Sequence, residues 1–138
     1  MHIRIIPMSM EDSTFVGKSI KEVQDDYFND YLINVEKGWY FYAKSGLNAN
    51  EGDLLLFQMS NSIIASATLY DVMRFTKITE DGCKGALILK DVKTFKPITS
   101  DELTKLIPEF SGFTQAKLDF DSSSVNLEGL KSRIEIDN

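Results

Sequence analysis

Between Glu51 and Phe75 the chain reads EGDLLLFQMSNSIIASATLYDVMRF, a stretch that few folds can accommodate. An acidic turn (Glu51, Gly52, Asp53) precedes an apolar run from Leu54 to Phe57. A polar break at Ser60, Asn61 and Ser62 separates that run from a β-rich one reaching Phe75. The turn residues tolerate the backbone angles of a chain reversal, and the flanking runs are rich in strand formers, so the pattern predicts a hairpin. Its first arm lacks apolar/polar alternation, which predicts a strand covered on both faces and hence a central one. In the second arm the small residues Ala65, Ser66 and Ala67 leave room against the sheet for a helix or a ligand.

The remaining elements are read around this hairpin. His2 to Met8 alternates Ile3 and Ile5 with Arg4 and Ile6, a short strand that Pro7 ends or marks as an edge. Ser19 and Glu22 form a capping box, from which a helix runs to about Leu32 with Ile20, Val23, Tyr27 and Tyr31 inside and Lys21, Gln24, Asp25 and Asp26 outside. Trp39 to Tyr42 is the densest aromatic cluster, with Trp39 and Phe41 on one strand face and Tyr40 and Tyr42 on the other. Asp81 and Gly82 mark another hairpin, and the strand from Gly85 to Phe95 changes register near Lys90 and Asp91, which predicts a bulge. Thr99 and Glu102 form a second capping box, with Ile98 and Leu103 as a hydrophobic staple, and Pro108 stops the helix. A short strand near Ala116 to Phe120 and a last helix carrying Leu127, Leu130 and Ile134 complete the chain. The expected architecture is α+β, a curved, partly closed antiparallel barrel of five or six strands with two or three flanking helices.

The 138 residues, 43% of them apolar, suffice for one domain with a real core, spanning residues 1–138, and not for two. No run approaches the roughly 20 apolar residues that cross a bilayer, and MHIRIIPMSMEDS lacks the apolar core of a secretion signal. A soluble, cytoplasmic protein with no membrane partner is expected. The single cysteine, Cys83, excludes an internal disulfide and a multi-cysteine metal site. The formal charge of −6 argues against a broad grip on nucleic acid, which needs several Lys and Arg against phosphates. From Arg74 to Lys117, however, eight basic residues face six acidic ones, so the charge is uneven along the chain.

The order WYFYAKSGLN, GDLLLFQMSNSIIASATL, FKPITSDELTKLIPEFSGFTQAK resembles PUA-like domains of the EVE and ASCH kind, including N-terminal domains placed before HNH endonucleases in modification-dependent restriction proteins. The resemblance covers roughly Val35 to Leu118. It implies a barrel with a pocket for a base, often a modified base flipped from DNA or a methylated base in RNA; it does not imply a catalytic activity. The chain departs from that pattern in lacking a tryptophan-rich opening, a His/Cys cluster and any HNH-like module. A cutting domain or subunit would therefore be a partner.

A base-reading pocket needs flat apolar walls and a few donors and acceptors for the base edge. Trp39, Tyr40, Tyr42, Phe57 and Phe113 are candidate walls, with Trp39 and Phe113 foremost; Gln58, Gln115 and Ser66 are candidate edge readers. Lys90, Lys93, Lys96 and Lys117 are candidate phosphate contacts. The expected partner is nucleic acid, DNA before RNA, with a methylated or hydroxymethylated base as target and no cofactor. Three other readings stay open: an RNA-binding PUA-like domain, a protein-interaction module using the aromatic cluster, and a metal-dependent nuclease. The last would use Asp91 and Lys93 in an acidic-x-Lys spacing, with Glu80 or Asp81 as a second ligand. His2 is the only histidine and lies at the terminus, which disfavours a Ser/His or Cys/His mechanism.

Overall fold

A computed structural model of the chain describes residues 1–8, 15–42, 49–80, 82–113 and 118–135. Six strands form one sheet: β1 (His2–Pro7), β2 (Trp39–Tyr42), β3 (Leu54–Met59), β4 (Ser62–Arg74), β5 (Gly85–Thr99) and β6 (Asp119–Asp121). Their spatial order is β2-β5-β4-β3-β1-β6. The central hairpin is β3 and β4, joined at Ser60 and Asn61, where Ser60 takes a left-handed φ of 56°. A residue with a small polar side chain at the turn tolerates that angle. The α+β class is the expected one. Within it the sheet is mixed, because β1 runs parallel to β3 while every other pair is antiparallel, and the end strands β2 and β6 do not pair with each other.

The expected bulge on β5 is present. Ser66 pairs with Lys93 and Thr68 with Lys90, so β5 carries an extra residue around Asp91, whose φ is 52°. A second irregularity on β4 places Tyr70 between the pairs Leu69/Leu89 and Asp71/Ile88. Such bulges bend a strand and increase its twist, which curls a sheet with long strands like β4 and β5.

The first helix starts at the predicted box. In α1 (Ile20–Glu22) the Ser19 hydroxyl accepts from the Glu22 N–H and the Glu22 carboxylate accepts from the Ser19 N–H. The chain then continues with π-helical winding over Val23–Val35. This changes which residues face inward. Val23, Gln24, Tyr27, Phe28 and Leu32 are buried, a spacing of four to five residues that suits the wider turn, whereas Tyr31 is exposed. Gln24, expected on the wet face, instead donates its amide to the carbonyls of Ile64 (2.9 Å) and Phe95 (2.7 Å), tying the helix to β4 and β5. Helix α2 (Ser100–Leu106) is capped by Thr99 Oγ1, which accepts from the Glu102 N–H, while the Glu102 carboxylate turns to Arg133. A 3-10 turn (Ser122–Ser124) leads to α3 (Leu127–Glu135).

Two cores lie on the two faces of the sheet. One joins Val23, Tyr27, Phe28 and Leu32 to Tyr40, Leu55, Phe57, Ala65, Ala67 and Leu87. The small residues of β4 thus make room for a helix. The other joins Ile3, Ile5, Leu56, Ile63, Phe95 and Ile98 to Leu103 and Ile107 of the α2 region, Phe110, Phe120, and Leu130 and Ile134 of α3. Strand β3 is buried on both sides, with Leu55 and Phe57 in the first core and Leu56 in the second, as its unbroken apolar run predicts.

Among the described residues one charged side chain is buried. Asp53, 2% exposed, closes the turn before β3, and its carboxylate accepts from the Arg4 Nε (2.9 Å), the Asn50 N–H (2.9 Å) and the His2 N–H (3.0 Å). Burial by itself would raise its pKa, but the bonds from Asn50, Arg4 and His2 and the charge of Arg4 outweigh it, holding the carboxyl below the usual range. Arg4 also reaches Asp119 Oδ2 (3.2 Å), whose Oδ1 lies 2.9 Å from His2 Nδ1, so β1, β3 and β6 are fastened together. Among the described residues no helix is long and apolar enough to cross a membrane.

Candidate nucleic-acid interface

Alternation along β2 divides its aromatics between two environments. Tyr40 points into the first core, with its ring 5.0 Å from Phe57 and 6.3 Å from Tyr27, and Phe57 is fully buried. Neither offers a free face to a base, so both expected walls are core residues here. Tyr42 is half-buried at the end of β2 and packs against the same core. Trp39 and Phe41 point the other way. They pair with Ile88 and Ala86 of β5, which in turn pair with Asp71 and Met73 of β4, so these six residues share one sheet face.

That face continues the one carrying the second core, yet Trp39 and Phe41 belong to neither core. Phe41 is 39% exposed; Trp39 is half-buried with its ring 6.2 Å from Phe41, and Phe41 lies 6.3 Å from Phe75. Met73 and Tyr70 are exposed on the same side, and Lys90 places its ammonium 5.7 Å from the centre of the Tyr70 ring. The result is a row of accessible rings on a rigid strand edge with a cation at one end.

At the start of β2, on the side of the first core, lies an open depression of about 360 Å³ lined by Ile33, Lys37, Gly38, Leu89, Lys90, Asp91 and Val92. Three of its residues hold left-handed backbone: Lys37 (φ 55°), Gly38 (φ 85°) and Asp91 (φ 52°). Gly38 is needed there, because a Cβ would stand 2.8 Å from the Leu89 carbonyl oxygen. The Gly38 carbonyl accepts from the Leu89 N–H at 2.8 Å, and its own N–H donates to Leu32, so the helix end, β2 and β5 meet at this glycine. Lys37 was not singled out from the sequence, and its placement beside Gly38 was the available signal. A second, more polar cleft of about 390 Å³ lies between the helix and β5, lined in part by Lys21, Gln24, Asn29, Thr94 and Lys96.

The other predicted site residues scatter. Phe113 packs edge-on against Phe110 at 4.9 Å and joins the second core, to which Trp39 does not belong, so the structure does not bring the two together as walls of one pocket. Gln58 donates its amide to the Ser60 carbonyl at 2.6 Å, closing the hairpin turn, while its Oε1 is buried with no partner among the described residues. Ser66 is 2% exposed between Leu56 and Lys93 in the sheet. Lys93 is paired with Glu135 at 3.0 Å, and Lys96 is exposed beside the second cleft. Gln115, Lys117 and Asp81 lie outside the described residues. Of the nuclease constellation, Lys93 turns to Glu135, and among the described residues, which leave out Asp81, no group of three or more His, Cys, Asp or Glu is placed to hold a metal.

No family model matches the chain, and no curated protein matches it either. The fold is similar to the crystal structure of ASCH from Zymomonas mobilis, with a TM-score of 0.54 over 94% of each chain at 14% identity. At that identity the likeness concerns the fold alone.

Proposed function

We propose that this chain is a non-catalytic nucleic-acid-binding domain whose contact surface is the outer edge of β2 and β5. One observation carries this reading: Trp39 and Phe41 are left out of both cores, on a sheet face that they share with the cation Lys90. Rings supply sequence-tolerant stacking worth about 1–3 kcal/mol per base, so two of them give useful affinity where the charge of −6 denies a broad electrostatic grip. The likeness to an ASCH fold supports the same class. The finer reading is a methylated or hydroxymethylated base, flipped from DNA in preference to RNA and recognised on behalf of a separate nuclease domain or subunit. Its support is the sequence resemblance to EVE and ASCH domains that precede HNH endonucleases.

The test is a titration with matched DNA and RNA oligonucleotides, with and without modified bases, at low and at moderate salt. Binding that weakens in Trp39→Ala and Lys90→Ala is expected. A preference for the modified oligonucleotide supports the finer reading, and equal binding removes it. No binding to any oligonucleotide, with capture of a protein partner through Phe41, would make this edge a protein interface instead.

A further inference from the structure

We infer that the exposed ring row is an open stacking platform for single-stranded nucleic acid, running from Lys90 and Tyr70 past Trp39 and Phe41 to Phe75. The inference rests on the coarser nucleic-acid reading above, gives it a substrate class, and stands against the flipped-base reading. An enclosed base pocket needs two walls facing each other, and the aromatics that could have faced Trp39 are elsewhere: Tyr40 and Phe57 are in one core and Phe113 in the other. What remains is one-sided. Trp39, Phe41 and Phe75 succeed one another at 6.2 and 6.3 Å with tilts of 43° and 42°, along a sheet face whose floor is Ile88, Ala86 and Met73. Rings spaced along a sheet take two or three successive unstacked bases, which a paired duplex does not release.

The charges fix where the backbone passes. Lys90 lies on this same face, two residues from Ile88, and Lys37 lines the depression beyond it, where these two cations face the one carboxylate of Asp91. Asp71 sits in the row of Trp39 and Ile88 on the β4 side, exposed, with its carboxylate accepting from the Val72 N–H at 2.8 Å. A carboxylate there repels phosphates, so the sugar-phosphate chain runs along the β2 edge toward Lys37 and Lys90 while the bases lie inward. With so few cations the affinity falls gently with salt, by roughly 0.7 in log K per log salt for each phosphate neutralised.

Trp39 is the only tryptophan, so the emission of the native protein reports on the platform directly. Titration with single-stranded oligothymidylate or oligouridylate should quench it saturably, and the corresponding duplexes should not. Phe41→Ala, which keeps the reporter, should weaken the single-strand affinity by roughly five- to a hundredfold with unchanged thermal unfolding. Asp71→Asn should tighten it. Quenching by a duplex carrying a modified base, equal to or stronger than by the single strand, overturns the platform and leaves the domain a nucleic-acid binder. No response to any nucleic acid overturns both, and a looser complex in Asp71→Asn overturns the assigned path of the backbone.

Discussion

The two ends of one sheet face differ in what lies over them. At one end Leu56, Ile63, Phe95 and Ile98 are covered by α2, α3 and Phe110 and are almost wholly buried. At the other end Trp39, Ile88, Phe41 and Met73 continue the same face, and among the described residues no helix closes over them. The residue types are similar. A strand of aromatic and branched side chains therefore serves as core or as contact surface according to which helix reaches it, and apolar character alone does not decide between stability and function.

Substitutions that set the two ends against each other should separate these roles. The largest effect is expected at the covered end, where Leu56→Ala empties a fully buried site and should cost about 2–5 kcal/mol in chemical denaturation. Next comes Asp53→Asn, which weakens the fastening of β1 and β3 and should cost about 1–3 kcal/mol at neutral pH. Because its folded pKa lies below the unfolded one, the carboxylate stabilises the fold above the ordinary Asp value of about 3.9 and loses that contribution as pH falls through the folded value. The gap between wild type and Asp53→Asn should accordingly close below about pH 4. Ser19→Ala removes the cap of the helix that covers the opposite face and should cost about 1 kcal/mol. The smallest effect is expected at the open end, where Phe41→Ala should change stability by no more than about 0.5 kcal/mol while reducing binding. A stability loss there comparable to that of Leu56→Ala would erase the distinction.

Local chemistry was legible in the sequence. The Ser19 and Thr99 caps, the β3–β4 hairpin and the irregularity near Lys90 and Asp91 each depend on neighbours in the chain, and each is found where the residues place it. A 3.6-residue period places Tyr31 inside the first helix and Gln24 outside, whereas π winding brings Gln24 in and turns Tyr31 out. The parallel pairing of β1 with β3 joins segments some fifty residues apart and has no local signature. For the site, alternation on β2 separated Trp39 and Phe41 from Tyr40 and Tyr42 but could not say which pair a helix would cover. Phe113 as a wall and Gln58 and Ser66 as edge readers were candidates by residue type alone, and the fold engages them by packing, a hydrogen bond and burial.

The central claim is that the open end of the sheet serves binding and contributes little to the fold, and Trp39→Ala tests it most directly when unfolding temperature and oligonucleotide affinity are measured on the same preparation. The account predicts an unfolding temperature within a few degrees of wild type and an affinity for single strands reduced roughly tenfold or more. A protein that unfolds, or one that stays folded and binds as tightly as before, would contradict it.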